Sequence, residues 1–258
     1  MTISNAVDSS KYSVSFEVFP PKTIDAMESV TTAAEKIADL KPVFMSVTYG
    51  AGGGTSDYTV ALAKDLQEQK HIPVMAHLTC ITSDRIRIHQ QLQTLQAQGI
   101  ENILALRGDI PEGFRLTDNH YRHAVELVRE IKAFDPAFCV GGACYPETHP
   151  EADSEKQDIA YLKEKVDAGL DFLVTQMFFD NAVFYSYMYR LREAGIQVPV
   201  HPGIMPIVNA AQVKRTLKLS GSQLPHRFRR ILDVFGNDPS AMRQAGISEF
   251  VVVTGYRG

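Results

Sequence analysis

Short runs of β-branched and aromatic residues alternate along the chain with longer segments whose apolar positions recur at helical spacing. The strand-like runs are 12–19 (YSVSFEVF), 43–48 (VFMSVT), 72–78 (IPVMAHL), 102–107 (NILALR), 138–145 (FCVGGACY), 171–178 (DFLVTQMF), 198–204 (VPVHPGI) and 249–254 (EFVVVT). Between them the spacing predicts helices over 24–40, 57–70, 83–98, 118–134, 153–168, 181–194 and 209–219, with further helical patterns near 225–235 and 239–245. Several carry a polar cap and a closing glycine: Ser83 with Gly99, Asp153 with Gly169, Asn181 with Gly195. Regular alternation of this kind implies βαβ units and a parallel sheet. Eight strand candidates in 258 residues match the count and size of a (β/α)8 TIM barrel. A doubly wound open sheet is the rival, but no GxGxxG follows the first run, so its best sign is missing. The expectation is an α/β chain whose residues 1–258 form a single barrel domain.

In such a barrel the chemistry sits at the C-terminal ends of the strands. Those ends carry Glu17, Thr48, Tyr49, His77, Arg107, Gly108, Asp109, Tyr145, Gln176 and Arg257. Alternation along the first run puts Val14, Phe16 and Val18 on one face and Ser13, Ser15 and Glu17 on the other. With the apolar face toward helices, Glu17 points into the barrel mouth. There desolvation would favour its neutral form and suit it to general acid work. The competing reading is a carboxylate paired with a nearby Lys or Arg.

In "ALRGD" (105–109) a fixed cation and an anion flank a glycine; Arg107 would hold an anionic or carbonyl-rich ligand and Asp109 would stabilise a developing cation. A surface ion pair is the plain alternative. The loop "YGAGGGTSD" (49–57) reads either as a phosphate cradle at a helix start or as an ordinary βα turn, and it lacks the Lys-Ser/Thr of a P-loop. His77, His149 and His201 show no metal-ligand spacing, so no metal is expected.

Charge and cysteines narrow the class. Twenty-six basic against 30 acidic residues leave a formal charge of −4, which argues against nucleic acid as a partner. Cys80, Cys139 and Cys144 form no CxxC pair and are expected as reduced thiols. No run approaches the roughly 18 apolar residues a membrane span needs, and the start MTISNAVDSSKYS has no secretory pattern. A cytoplasmic location without membrane contact is expected.

Taken together, "SFEVFPPK", "SVTYGAGGGTSD", "AHLTC", "ILALRGD", "YPETHPEA", "KVDAGLDFLVTQMFFD" and "PGIMPI" resemble the flavin-dependent methylenetetrahydrofolate reductases, in family order over residues 13–245. The resemblance implies a (β/α)8 barrel with FAD as cofactor, NADH or NADPH as hydride donor and methylenetetrahydrofolate as small-molecule substrate. By position it makes Glu17 the general acid and Asp109 the charge between flavin and pterin. It places Thr48, His77, Arg107, Gly108, Asp109, Tyr121, Ala143, Tyr145, His149, Asp158 and Lys165 against FAD. Glu17, Gln176, Gln212 and Arg257 fall at substrate positions. The implied reaction is ping-pong, with protonation of N10 opening the folate ring.

Two departures stand out. The ending "ISEFVVVTGYRG" does not follow the family; "EFVVVT" is expected as the eighth strand, with Arg257 replacing the family's arginine by position only. With no eighth helix, an exposed apolar seam would favour a homo-oligomer or low stability. Thr216 stands where a stacking phenylalanine is expected. A FAD-binding homologue with altered or lost folate activity is therefore the second reading, and an unrelated phosphate-binding barrel enzyme the third.

Overall fold

A computed structural model describes residues 1–7, 12–21, 23–49, 56–205 and 209–248. Seven strands and ten helices lie among them, in the order α1 (Ile3–Ala6), β1 (Ser15–Val18), α2 (Met27–Ala38), β2 (Phe44–Val47), α3 (Ser56–Lys70), β3 (Val74–Thr79), α4 (Arg85–Ala97), β4 (Asn102–Leu106), α5 (Ala124–Phe134), β5 (Cys139–Cys144), α6 (Glu155–Asp167), β6 (Phe172–Thr175), α7 (Asn181–Glu193), β7 (Val200–His201), α8 (Ala210–Ser220), α9 (His226–Phe235) and α10 (Pro239–Ser248). The strands follow sequence order in the sheet, and every described pair is parallel. The eighth expected strand, 249–254, lies outside the described residues, as does Arg257.

The chain divides into two compact units: Met1–Gly142 with Lys165–Phe172, and Ala143–Glu164 with Leu173–Gly258. In the first, β2, β3 and β4 are buried along almost their whole length, as their near-continuous apolar sequences require of a parallel sheet covered on both faces. Ala63 and Leu66 of α3, Ile88 and Leu92 of α4, and Leu127, Val128 and Ile131 of α5 are fully buried. In the second, Val213, Leu224 and Phe228 form a core cluster with Phe179, Leu217, Ile231 and Leu232 packed against it.

Three N-caps lie one residue from those expected, each on a neighbouring side chain whose oxygen reaches a free N–H of the first turn, Ser154 rather than Asp153 among them. Asp84, not Ser83, accepts the N–H of Arg87 at 2.7 Å; Asp180, not Asn181, accepts that of Ala182 at 2.8 Å. Residues 118–123 do not extend α5. His120 bridges antiparallel to Asp84, and Glu126 accepts the N–H of Arg122 and of His123, which fixes the helix start after His123. The apolar face expected of the first strand is only partly covered: Val18 is buried, whereas Val14 is 58% exposed.

The short α1 has no counterpart in the sequence reading. Ile3 is fully buried, and its N–H donates to the Asn102 side chain at 2.7 Å. The Asn102 amide in turn donates to the carbonyls of Val74 (3.1 Å) and Met1 (3.3 Å), while the N-terminal amine pairs with Glu101. Asn102 is 1% exposed, so truncation strands buried backbone groups. Asn102→Ala should cost about 2 kcal/mol in urea or thermal unfolding, with little effect on a site at the opposite strand ends.

Candidate functional site

At the C-terminal end of β1, Glu17 stands in register with Ser46 of β2. The Ser46 hydroxyl donates toward Glu17 Oε2 at 3.5 Å, and His77 Nε2, from β3, lies 3.5 Å from the same oxygen. Glu17 keeps 47% of its side-chain surface open. Desolvation by the surrounding protein nevertheless pushes its carboxyl above the ordinary range, and the Ser46 hydrogen bond opposes that shift. His77 is 7% exposed, and burial pushes its imidazole down to about 4, so it is neutral at pH 7. Its Nε2 has no hydrogen-bond partner among the described residues. The competing reading, a Lys or Arg partner for Glu17, finds none among the described residues; the neighbours there are a neutral imidazole and a hydroxyl. Thr48 follows β2 and is buried, its carbonyl accepting from Thr59 Oγ1 at 2.9 Å.

Past β4, the carbonyl of Arg107 accepts the N–H of Ile81 at 2.9 Å, tying this loop to the one after β3. The Arg107 Nε donates to Gly108 O at 3.2 Å. Gly108 has φ 84°, which turns the chain so that Asp109 is exposed. Tyr121 is placed differently from the other strand-end residues. It is 2% exposed, with the Arg85 guanidinium 4.4 Å from its ring centroid, and burial followed by the Glu130 carboxylate pushes its phenol upward. Lys165 is half-buried on α6.

In the second unit, Ala143 and Tyr145 mark the end of β5. The Tyr145 ring meets His149 edge-on with centroids 4.6 Å apart. The intervening turn holds Thr148 at φ 75°, a left-handed conformation that a β-branched residue seldom adopts. It is closed by Thr148 N–H to Tyr145 O at 3.1 Å. Asp158 of α6 accepts the N–H of His149 at 2.9 Å, and His149 Nδ1 accepts that of Glu151 at 3.1 Å. In the neutral imidazole the proton is thus on Nε2. Tyr145, His149 and Asp158 thus lie together in one cluster.

Gln176 follows β6; its N–H reaches Cys144 O at 2.7 Å and its Oε1 accepts from Met177 N at 2.9 Å. The side-chain NH2 is its remaining donor. Gln212 lies in the first turn of α8, capped by Asn209, and Thr216 is buried one turn later at 5% exposure, too short for an aromatic stack.

Three groups at these ends had no place in the sequence reading. Ser46 becomes visible only once the β1–β2 register is known. Thr175 Oγ1 accepts the N–H of Gly203 at 2.9 Å, next to Gln176. A Cβ on Gly203 would lie 2.3 Å from the Thr175 carbonyl oxygen, so the backbones meet there with no room for a side chain. Gly203→Ala should therefore destabilise the chain by about 2 kcal/mol, measured by thermal unfolding. Glu147, whose carboxylate accepts the N–H of Gln223 at 2.7 Å, is pushed upward by burial.

No cluster of three His, Cys, Asp or Glu that would hold a metal occurs among the described residues. All three cysteines are buried and outside any disulfide, and burial pushes Cys80 up to about 12, so it is no nucleophile. No helix among the described residues is long and apolar enough to cross a membrane. Residues 50–55 of the glycine-rich loop lie outside the described residues. What remains is a protonatable carboxyl beside an unsatisfied buried imidazole, and strand ends rich in backbone and side-chain donors. That donor set suits an anionic, carbonyl-rich cofactor.

A family model for methylenetetrahydrofolate reductase matches residues 2–254. The 5,10-methylenetetrahydrofolate reductase of Pectobacterium carotovorum is 36% identical over 238 residues, which cover 92% of this chain and 78% of the relative. Methylenetetrahydrofolate reductase (NADH) 1 of Zea mays is also 36% identical; the match covers 95% of this chain but only 44% of the plant protein. Among solved structures, a Clostridium thermocellum protein that binds two copies of 5-methyl-5,6,7,8-tetrahydrofolic acid has a TM-score of 0.64 at 13% identity, covering 91% of this chain and 81% of that one. The structural likeness bears on the fold alone, which is of the (β/α)8 barrel class.

Proposed function

The chain belongs to the methylenetetrahydrofolate reductase family, and from that premise we propose that it reduces 5,10-methylenetetrahydrofolate to 5-methyltetrahydrofolate with electrons from NADH or NADPH. NADH is the donor named for the plant relative and is the first to try. The observation that carries the reading is Glu17: a carboxyl held toward its neutral form at a strand end, beside a neutral His77.

FAD, when bound, supplies the hydride chemistry between nicotinamide and folate. By the positions the family resemblance assigns, Thr48, His77, the Arg107–Asp109 loop, Tyr145, His149 and Asp158 would hold it. The nicotinamide and the folate would take turns, in ping-pong order.

Glu17 then performs the acid step. Its proton moves to N10 as the bond from N10 to the methylene carbon breaks, and the carboxylate keeps the electron pair. The cation left at N5 is stabilised by the charge of Asp109. Reduction of that cation completes the methyl group. Gln176, through its side-chain NH2, and Gln212 would orient the pterin. The setting is a cytoplasmic enzyme of one-carbon metabolism, working as one catalytic barrel. Incubation with FAD, NADH and methylenetetrahydrofolate, followed by mass spectrometry of the folates, tests the reading. It predicts 5-methyltetrahydrofolate; NADH- and NADPH-supplied reactions that both leave the folate unreduced would overturn it.

A further inference from the structure

Two side chains from different strands converge on a single oxygen of Glu17. Ser46 Oγ on β2 and His77 Nε2 on β3 each lie 3.5 Å from Oε2, and neither contact is to Oε1. Both groups are buried, Ser46 at 4% and His77 at 7% exposure. Ser46 donates to Oε2, and His77 Nε2, which has no hydrogen-bond partner among the described residues, stands near enough to donate to the same oxygen after a small ring rotation.

We propose that Ser46 and His77 are positioning residues for the proton of Glu17, holding Oε2 as the acceptor oxygen so that the transferable proton is carried on Oε1. This rests on the reading of Glu17 as the acid. When the Oε1–H bond breaks and the proton passes to the folate amine, the electron pair stays on a carboxylate whose Oε2 accepts from Ser46 and has the His77 N–H within reach. Nothing is oxidised or reduced in the step. The two donors thus stabilise the conjugate base, and removing either makes Glu17 a weaker acid. Among the described residues His77 is the titratable group paired with Glu17, and Ser46 is its other polar neighbour.

Infrared difference titration of the whole protein reads the carboxylic C=O band of Glu17, assigned as the band absent from Glu17→Gln. The contacts are at the outer edge of hydrogen-bond range, so Ser46→Ala should raise the midpoint of that band by about one pH unit. His77→Leu should raise it similarly. His77→Gln, which keeps an N–H donor, should stay nearer the wild-type midpoint. The pH midpoint of the folate step should move together with the infrared midpoint. An unmoved midpoint in folded Ser46→Ala and in His77→Leu overturns the proposal even where Glu17→Gln is inactive. Should Glu17→Gln keep its folate turnover, the acid assignment fails instead, whatever the band does.

Discussion

Glu17→Gln is expected to lose folate reduction by about a hundredfold to ten-thousandfold, the usual contribution of a positioned general acid, while FAD binding and its reduction by NADH persist. The reason is local. Glutamine keeps the size and polarity of the side chain beside Ser46 and His77, but carries no transferable proton. A large drop in the nicotinamide step would instead mean that Glu17 shapes the flavin site. A folate rate within a few-fold of wild type would remove its role as acid. The split between the two half-reactions, each followed by rapid mixing, is the informative quantity.

The second large effect concerns stability against pH. His77 titrates near 4 in the folded chain and has an ordinary value of 6.5, because burial disfavours its charged form. The unfolded chain therefore binds the extra proton first as pH falls. His77 leaves stability untouched above pH 6.5 and costs progressively more between 6.5 and about 4, roughly 3 kcal/mol in all. Glu17 acts in the opposite sense. Its raised folded value means that the native chain holds a proton the unfolded one has released, so stability falls as pH rises from 4.5 through that raised value. Urea unfolding between pH 4 and 7 separates the two. His77→Gln should flatten the acid-side loss, and Glu17→Gln should be relatively stabilised toward neutral pH. A His77→Gln slope equal to wild type would show that the imidazole is not buried neutral.

Much of this was legible from patterning. The apolar runs of β2 to β4 are continuous because both faces are buried, so they could be read as parallel strands before any coordinates. Gly99, Gly169 and Gly195 close helices at positive φ, as their positions suggested. Other features depend on tertiary partners. The four residues of α1 are too few for a periodic signal, and Ile3 is held there by Asn102, far along the chain. Polar ends drew attention to Glu17 and His77 separately; only the register of β1 with β2 and the depth of β3 bring them to one carboxylate oxygen with Ser46. The place of Tyr121 after the fourth strand suggested a cofactor neighbour; that its ring lies under Arg85, near Glu130, could be learned only from the fold. Thr216 was legible as unusual, and its burial adds that a small side chain suits the packing of α8.

The central claim is that this chain passes hydride to a folate that Glu17 has protonated. Anaerobic mixing tests it most directly: protein loaded with FAD, reduced by NADH and freed of excess nicotinamide, is mixed with methylenetetrahydrofolate. The account predicts that the oxidised flavin spectrum returns and that one 5-methyltetrahydrofolate forms for each flavin. A flavin that stays reduced, with the folate recovered unchanged, would contradict it.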